Sequence, residues 1–204
     1  LTSLRRLPYD FIIIDAAAIS VSPTVSQLCG SADATILAVR SGITTMKDLE
    51  AKMPTIVAAG QKRLIELQQT DGGWGWHGSG TTHESITPYA LLGLIAAEEA
   101  GYPCPNPKTI PNGLARLDQY LDAMAQEWDT ILRNRDWNAQ HPVVNDALYC
   151  LWVRALAPER VDKPNANMDA WLERIEASVG TQMMSDAGHA LALEIAVKLK
   201  KKEL

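Results

Sequence analysis

The sequence has no surplus of basic residues: 19 Lys and Arg stand against 24 Asp and Glu, a formal net charge of −5. Phosphate backbones are gripped by cations clustered on one face, so the charge balance argues against a nucleic-acid partner. The one dense basic run, Lys198, Lys200, Lys201 and Lys202, closes the chain and reads as a solvated terminus. Cysteine is scarce too. Cys29, Cys104 and Cys150 cannot all pair, and their spacing fits neither a zinc ribbon nor a disulfide framework, so free thiols are expected. No run approaches the roughly 18 to 20 consecutive apolar residues of a membrane helix, and no charged-then-apolar signal layout opens the chain. Leu1 in place of Met points to an excerpt of something longer.

What is present divides by period. From Tyr9 to Asp15 the run is β-branched and continuously apolar in its middle, as in a strand buried on both faces of a parallel sheet. Ala34 to Val39 repeats the signal. Ser22 with Pro23 can start a short helix between them, and Thr44 or Thr45 can cap another reaching about Lys52. The expected order is β-α-β-α, a fragment of a parallel sheet over residues 1–53.

Beyond the junction near Glu50 to Thr55, where Pro54 reads as a breaker, the period changes to about 3.6. Apolar faces recur at Ile56, Leu64 and Leu67; at Ile86, Tyr89, Ala90, Gly93, Leu94 and Ala97; and at Leu114, Leu117, Leu121 and Met124. Three more follow, through Val144, Leu148, Leu151, Trp152 and Ala155; Met168, Trp171, Leu172 and Ile175; then Ala187, Leu191, Ile195 and Leu199. Ser85, Asn145 and Ser185 or Asp186 can serve as N-caps, and Gly101 followed by Pro103 stops the second helix. Helices joined by loops with no strand signal imply antiparallel hairpins packed side by side over residues 56–204, mainly α overall.

The densest motif is Gln68-Gln69-Thr70-Asp71-Gly72-Gly73-Trp74-Gly75-Trp76. The Asp-Gly-Gly permits a tight turn, the indole can lie over the end of a neighbouring helix, and the Gln amide can bond backbone groups there. Gln68, Asp71, Gly72, Gly73, Trp74 and Trp76 are therefore expected to staple the fold. Gln68, Gly72 and Trp74 match the Gln-x3-Gly-x-Trp repeat of squalene and hopene cyclases. With Ile86-Thr87-Pro88-Tyr89-Ala90-Leu91-Leu92-Gly93-Leu94, Glu98-Glu99-Ala100-Gly101-Tyr102 and Ser185-Asp186-Ala187-Gly188-His189-Ala190, the string resembles the thioester-domain α/α toroid of bacterial α2-macroglobulins. The resemblance implies a partial toroid of three helical hairpins in a protease-trapping protein, with a protein partner, a protease among them, and a periplasmic or extracellular setting. None of the three cysteines lies in the family's Gly-Cys-Gly-Glu-Gln context, so this chain carries no thioester. An open toroid edge, or the β fragment, offers a surface for self-association.

Residues 9–42 resemble the C-terminal half of deviant-Walker ATPases, particularly bacterial tyrosine autokinases of polysaccharide export. The likeness rests on Tyr9-Asp10-Phe11-Ile12-Ile13-Ile14-Asp15 and on Ser31-Ala32-Asp33-Ala34-Thr35-Ile36-Leu37-Ala38-Val39-Arg40-Ser41-Gly42. It implies that Asp15 ends a Walker B strand and serves the magnesium of bound ATP, in a cytoplasmic protein. Yet the chain has no Gly-Lys-Ser/Thr phosphate loop, the family's usual Pro pair is replaced by Ala16-Ala17-Ala18, and its C-terminal tyrosine cluster is missing. Asp15 is then a vestigial cofactor residue, and no cofactor is expected. The abrupt change of period suggests fragments of two unrelated genes with no joint activity.

Enzymes of the same fold class form the competing reading. Terpene cyclases use an Asp-x-Asp-Asp acid, which this sequence lacks. Prenyltransferase toroids bind zinc with Asp, Cys and His; Asp146, Cys150 and His189 offer those types without the family's Asp-x-Cys spacing, and a Cys at an apolar helix position is usually core. His77, His83 and His141 read as loop residues, exposed or bonding a turn, and Glu98, Glu99, Asp118 and Asp122 as solvated charge on helix surfaces. The expectation is a non-enzymatic module.

Overall fold

The computed structural model describes residues 12–16, scattered positions between 25 and 43, and then residues 45–76, 80–157 and 168–200. Among these it contains six helices: α1 (Met46–Leu67), α2 (Ile86–Glu99), α3 (Thr109–Asn134), α4 (Pro142–Leu156), α5 (Met168–Ser178) and α6 (Asp186–Lys200). None of the helices is long and apolar enough to cross a membrane.

The β-α-β-α fragment is corrected. Among the described residues there is no strand: residues 12–16 form no ladder, and Ile12, Ile13 and Ile14 are 41%, 93% and 43% exposed. A strand of a parallel sheet exists only with paired neighbours and a helix over each face, and nothing described covers this run. Its β-branched composition is a propensity that packing has to realise. Of the second expected strand only Thr35 and Ala38 are described, and neither is in a strand. Val25, Leu28 and Cys29 are helical, where the sequence predicts a short helix. Ser22, Pro23, Thr44, His77, Lys201 and Lys202 lie outside the described residues.

Helix α1 starts at a capping box, in which the Thr45 side chain accepts from the Asp48 amide at 3.2 Å and Asp48 accepts from the Thr45 amide at 3.0 Å. It then runs through Pro54 without ending. A proline inside a helix removes one donor and crowds the carbonyl four residues back, at a cost of about 3 kcal/mol. Here that carbonyl belongs to exposed Glu50, where water can take the place of the missing donor. Helix α2 stops as its sequence implies: Gly101 is left-handed at φ +88°, and the Tyr102 amide reaches back to the Ala97 carbonyl at 2.9 Å. Helix α4 begins at Pro142, so Asn145 is not its cap but a first-turn residue that serves α6 instead.

The helices form two layers. Thr82, just before α2, meets Tyr120 of α3, and Leu91 meets Gly113, so α2 and α3 are antiparallel. Arg154 near the end of α4 meets Asp118 in the first half of α3, which makes that pair antiparallel as well. Asn145 bonds Ser185 and Trp152 bonds Glu194, so α4 and α6 run side by side in the same direction. Helices α2, α4 and α6 thus share one direction. Between the layers lies one apolar core, including the fully buried Leu91, Leu94, Leu114, Leu117, Trp128 and Leu148. Burying each such side chain is worth roughly 1.5–3 kcal/mol, so this shared core sets the layout.

Asp118 corrects the reading of solvated charge. Its side chain is 1% exposed, and Arg154, 4% exposed, donates Nε to its Oδ1 at 2.9 Å and Nη1 to the Ala157 carbonyl at 3.0 Å. The guanidinium both neutralises the carboxylate and ties off the end of α4.

Candidate functional site

Two clusters of polar and aromatic side chains stand out among the described residues. The first is built on the turn after α1. Asp71 Oδ1 accepts from the Gly73 amide at 3.1 Å, and Gly72 sits at φ +90°, where a Cβ would lie 2.4 Å from the Asn112 carbonyl oxygen. Only glycine fits there. The turn delivers Trp74, 2% exposed, onto Gly113 of α3, with its indole Nε1 donating to the Leu64 carbonyl at 2.7 Å. Gln68 Nε2 reaches the carbonyls of Gly72 and Thr109, each at 2.8 Å. One turn therefore joins the end of α1 to the starts of α2 and α3.

Asp71 extends this staple. Its Oδ2 accepts from the Thr82 hydroxyl at 2.7 Å and lies 3.3 Å from Arg116 Nε, while the Arg116 guanidinium stacks 4.4 Å over the Tyr120 ring. Burial works to raise the Asp71 carboxyl, but the Thr82 hydroxyl, the Gly73 amide and Arg116 outweigh it and hold it below its ordinary value. Trp76 stands apart from the staple. It is 69% exposed, its ring edge-on to His83 at 6.0 Å.

The second cluster crosses the layer of α2, α4 and α6. Tyr89, 62% exposed, lies 4.7 Å from the Tyr149 ring, and Tyr149 stacks on Trp152 at 5.9 Å and 28°. Trp152 Nε1 donates to Glu194 Oε2 at 2.6 Å. Asp146 and Glu84 stand at the other end, near His83, whose Nδ1 accepts from the Ser85 amide at 3.2 Å. Burial first, then the charge of Glu84, raises the Asp146 carboxyl, with His83 opposing. The Tyr149 hydroxyl is buried with no hydrogen-bond partner among the described residues, and burial, assisted by Tyr89 and Cys150, pushes it up to about 12.

No known family, curated protein or solved structure matches this chain. Its chemistry is therefore read from its own side chains.

The metal candidates are not gathered. Cys150 is fully buried with Sγ 3.7 Å from the Glu84 carbonyl, and burial pushes its thiol far up. Asp146 lies on the same helix, whereas His189 is on α6 with Nδ1 3.0 Å from the Ser185 carbonyl. Among the described residues no three His, Cys, Asp or Glu side chains are placed to hold a metal ion. Asp15 is exposed. His141 Nε2 lies 2.9 Å from the Asp136 carbonyl, a turn contact.

A second surface feature is a groove of about 400 Å³ between α1 and α2, lined by Val57, Leu64, Gly60, Gly93 and Ala97 among others. It is mostly apolar, and the polar side chains that line it are those of Gln61, which donates to the Tyr102 carbonyl at 2.8 Å, and Tyr102.

Sequence reasoning placed Tyr89 and Trp152 on apolar helix faces and passed over Tyr149, Glu84 and Glu194. One local signal was available: Asp146, Tyr149 and Trp152 recur every three residues, which sets them along one side of α4. Arg116, Tyr120 and Thr82 gave none, because they meet the staple only across the fold.

Proposed function

We propose that this chain is a non-enzymatic helical module of the α2-macroglobulin type, lacking a thioester, which acts through surface contacts with a protein partner in a protease-trapping protein. The observation that carries the reading is the aromatic row of Tyr89, Tyr149 and Trp152 across two helices, in which Tyr89 is exposed and the other two are half-buried. Exposed aromatic side chains are the residues from which protein interfaces draw most of their binding energy. Asp71 and Asp118 are held in structural ion pairs, Asp129 is bound by Arg174 at 2.7 Å, and Cys150 lies in the core.

The experiment is complex formation between the full chain and a panel of endopeptidases, followed by size-exclusion chromatography with light scattering. A complex that forms with a peptidase and dissociates in denaturing detergent is expected, since no thioester is available to make it covalent. Turnover of a prenyl diphosphate, squalene or ATP by the same preparation would overturn the reading.

A further inference from the structure

We infer that the Tyr89–Tyr149–Trp152 row is a receptor for an arginine side chain presented by a partner protein, with carboxylates at both ends of the row selecting the cation. The inference rests on the proposed function, naming the chemistry its partner must offer.

The rings lie in sequence at 4.7 Å and 5.9 Å, and Glu194 closes the row through its 2.6 Å bond from the Trp152 indole. Asp146, one turn before Tyr149 on α4, closes the other end, with Glu84 beside it, its carbonyl 3.7 Å from Cys150 Sγ. Ring faces carry the negative lobe of the aromatic quadrupole, so rings and carboxylates alike favour a cation and disfavour an anion. The bond from Trp152 to Glu194 pulls electron density toward the indole nitrogen and leaves the ring a better cation partner.

Geometry selects among cations. A guanidinium is planar, stacks on a ring face and presents five donors in its plane, whereas an ammonium is a compact point charge. The Asp146 carboxylate, one helical turn before Tyr149 and without a hydrogen bond among the described residues, offers an acceptor beside such a stacked group. Arg116 over Tyr120 and Arg174 over Trp171, at 4.4 Å and 5.0 Å, show the same pairing of guanidinium and ring elsewhere in this fold.

The test uses the full chain and two synthetic peptides, Gly-Arg-Gly-Arg-Gly and its counterpart with citrulline, the neutral isostere of arginine, in both places. Binding is followed by titration of the Trp152 indole proton resonance. Saturable shifts with the arginine peptide, weakened by added salt, are expected, with at least about ten-fold weaker binding of the citrulline peptide. Tyr89→Ala and Asp146→Asn should each weaken arginine binding by about two- to thirty-fold, the range for one cation–ring or charge contact. Tyr89 is 62% exposed, so an unchanged melting temperature for Tyr89→Ala confirms that the fold is intact. Equal binding of both peptides, shifts that map away from Trp152, or variants that bind as the wild type does would each overturn the inference. Should Asp146→Asn melt early, Glu194→Gln serves in its place and carries the same expectation. An arginine peptide that fails while a peptidase still binds sinks this inference alone; turnover of an isoprenoid or ATP sinks the proposed function.

Discussion

Replacing Gly113 with alanine sets two effects of opposite sign against each other at one helix position. Intrinsic propensity favours alanine over glycine inside a helix by about 0.5–1 kcal/mol. Sterics oppose it, because a Cβ at 113 would stand 2.7 Å from Leu91 Cδ2, 2.8 Å from Trp74 Cζ3 and 3.1 Å from Trp74 Cη2. Neither neighbour can yield easily: Leu91 is fully buried, and the indole is pinned by its 2.7 Å bond to the Leu64 carbonyl. Overpacking of this kind costs about 1–3 kcal/mol, so the net expectation for Gly113→Ala is a loss of about 1–2 kcal/mol. For a chain of this size that lowers the melting temperature by about 2–8 °C. Gly93 supplies the control, since it lies within α2 with nothing inside 4 Å of a built Cβ. Gly93→Ala should gain about 0.5–1 kcal/mol and melt higher. Chemical denaturation with far-ultraviolet circular dichroism measures both, and Trp74→Leu combined with Gly113→Ala should recover part of the steric loss as a favourable coupling. If Gly113→Ala matched or exceeded the wild type in stability, the Trp74 staple would not be seated as described.

Other outcomes follow from the same contacts. Asp118→Leu and Arg154→Leu should each cost about 3–5 kcal/mol by stranding a buried charge, whereas the double replacement should cost far less than their sum, measured by urea denaturation. Asp71 and Asp129 are held below the ordinary aspartate value of 3.8 in the folded state, Asp129 chiefly by its bond from Arg174. The stability they contribute is therefore complete above that value and is lost as pH falls through the folded ones, so Asp71→Asn should show a flatter acid limb in melts below about pH 4. Iodoacetamide should label half-exposed Cys104 in the native protein and leave Cys150 untouched until unfolding; native labelling of Cys150 by mass spectrometry would contradict its burial.

Helices were legible in the sequence because their apolar spacing and their punctuation agreed. Gly101 before Pro103 and the Asp71-Gly72-Gly73 turn carry backbone requirements that few other residues meet, so they could be read locally. Asp118 could not. Its burial depends on Arg154, 36 residues away, and a single acid on a helix looks the same whether water or a guanidinium answers it. Tyr89 and Trp152 show the converse, since periodicity counts an aromatic ring as apolar without telling which side of the helix the neighbours occupy. The β-branched run at Ile12 to Ile14 misled for a related reason: the composition suits a buried strand, but pairing partners and covering helices are supplied by the rest of the fold.

The short reach of the turn at Trp74 also bears on how the chain comes together. Its indole closes a loop of 10 residues to Leu64 and its amide one of 13 to Thr87, whereas the bonds from α4 to α6 span 40 and 42. The entropy lost on closing a loop rises with the logarithm of its length, and contacts near in sequence form soonest. The joint between α1 and α2 can thus be in place early in folding, even while the ribosome is still adding α4. The later helices then condense on a nucleus that already fixes where α3 must lie.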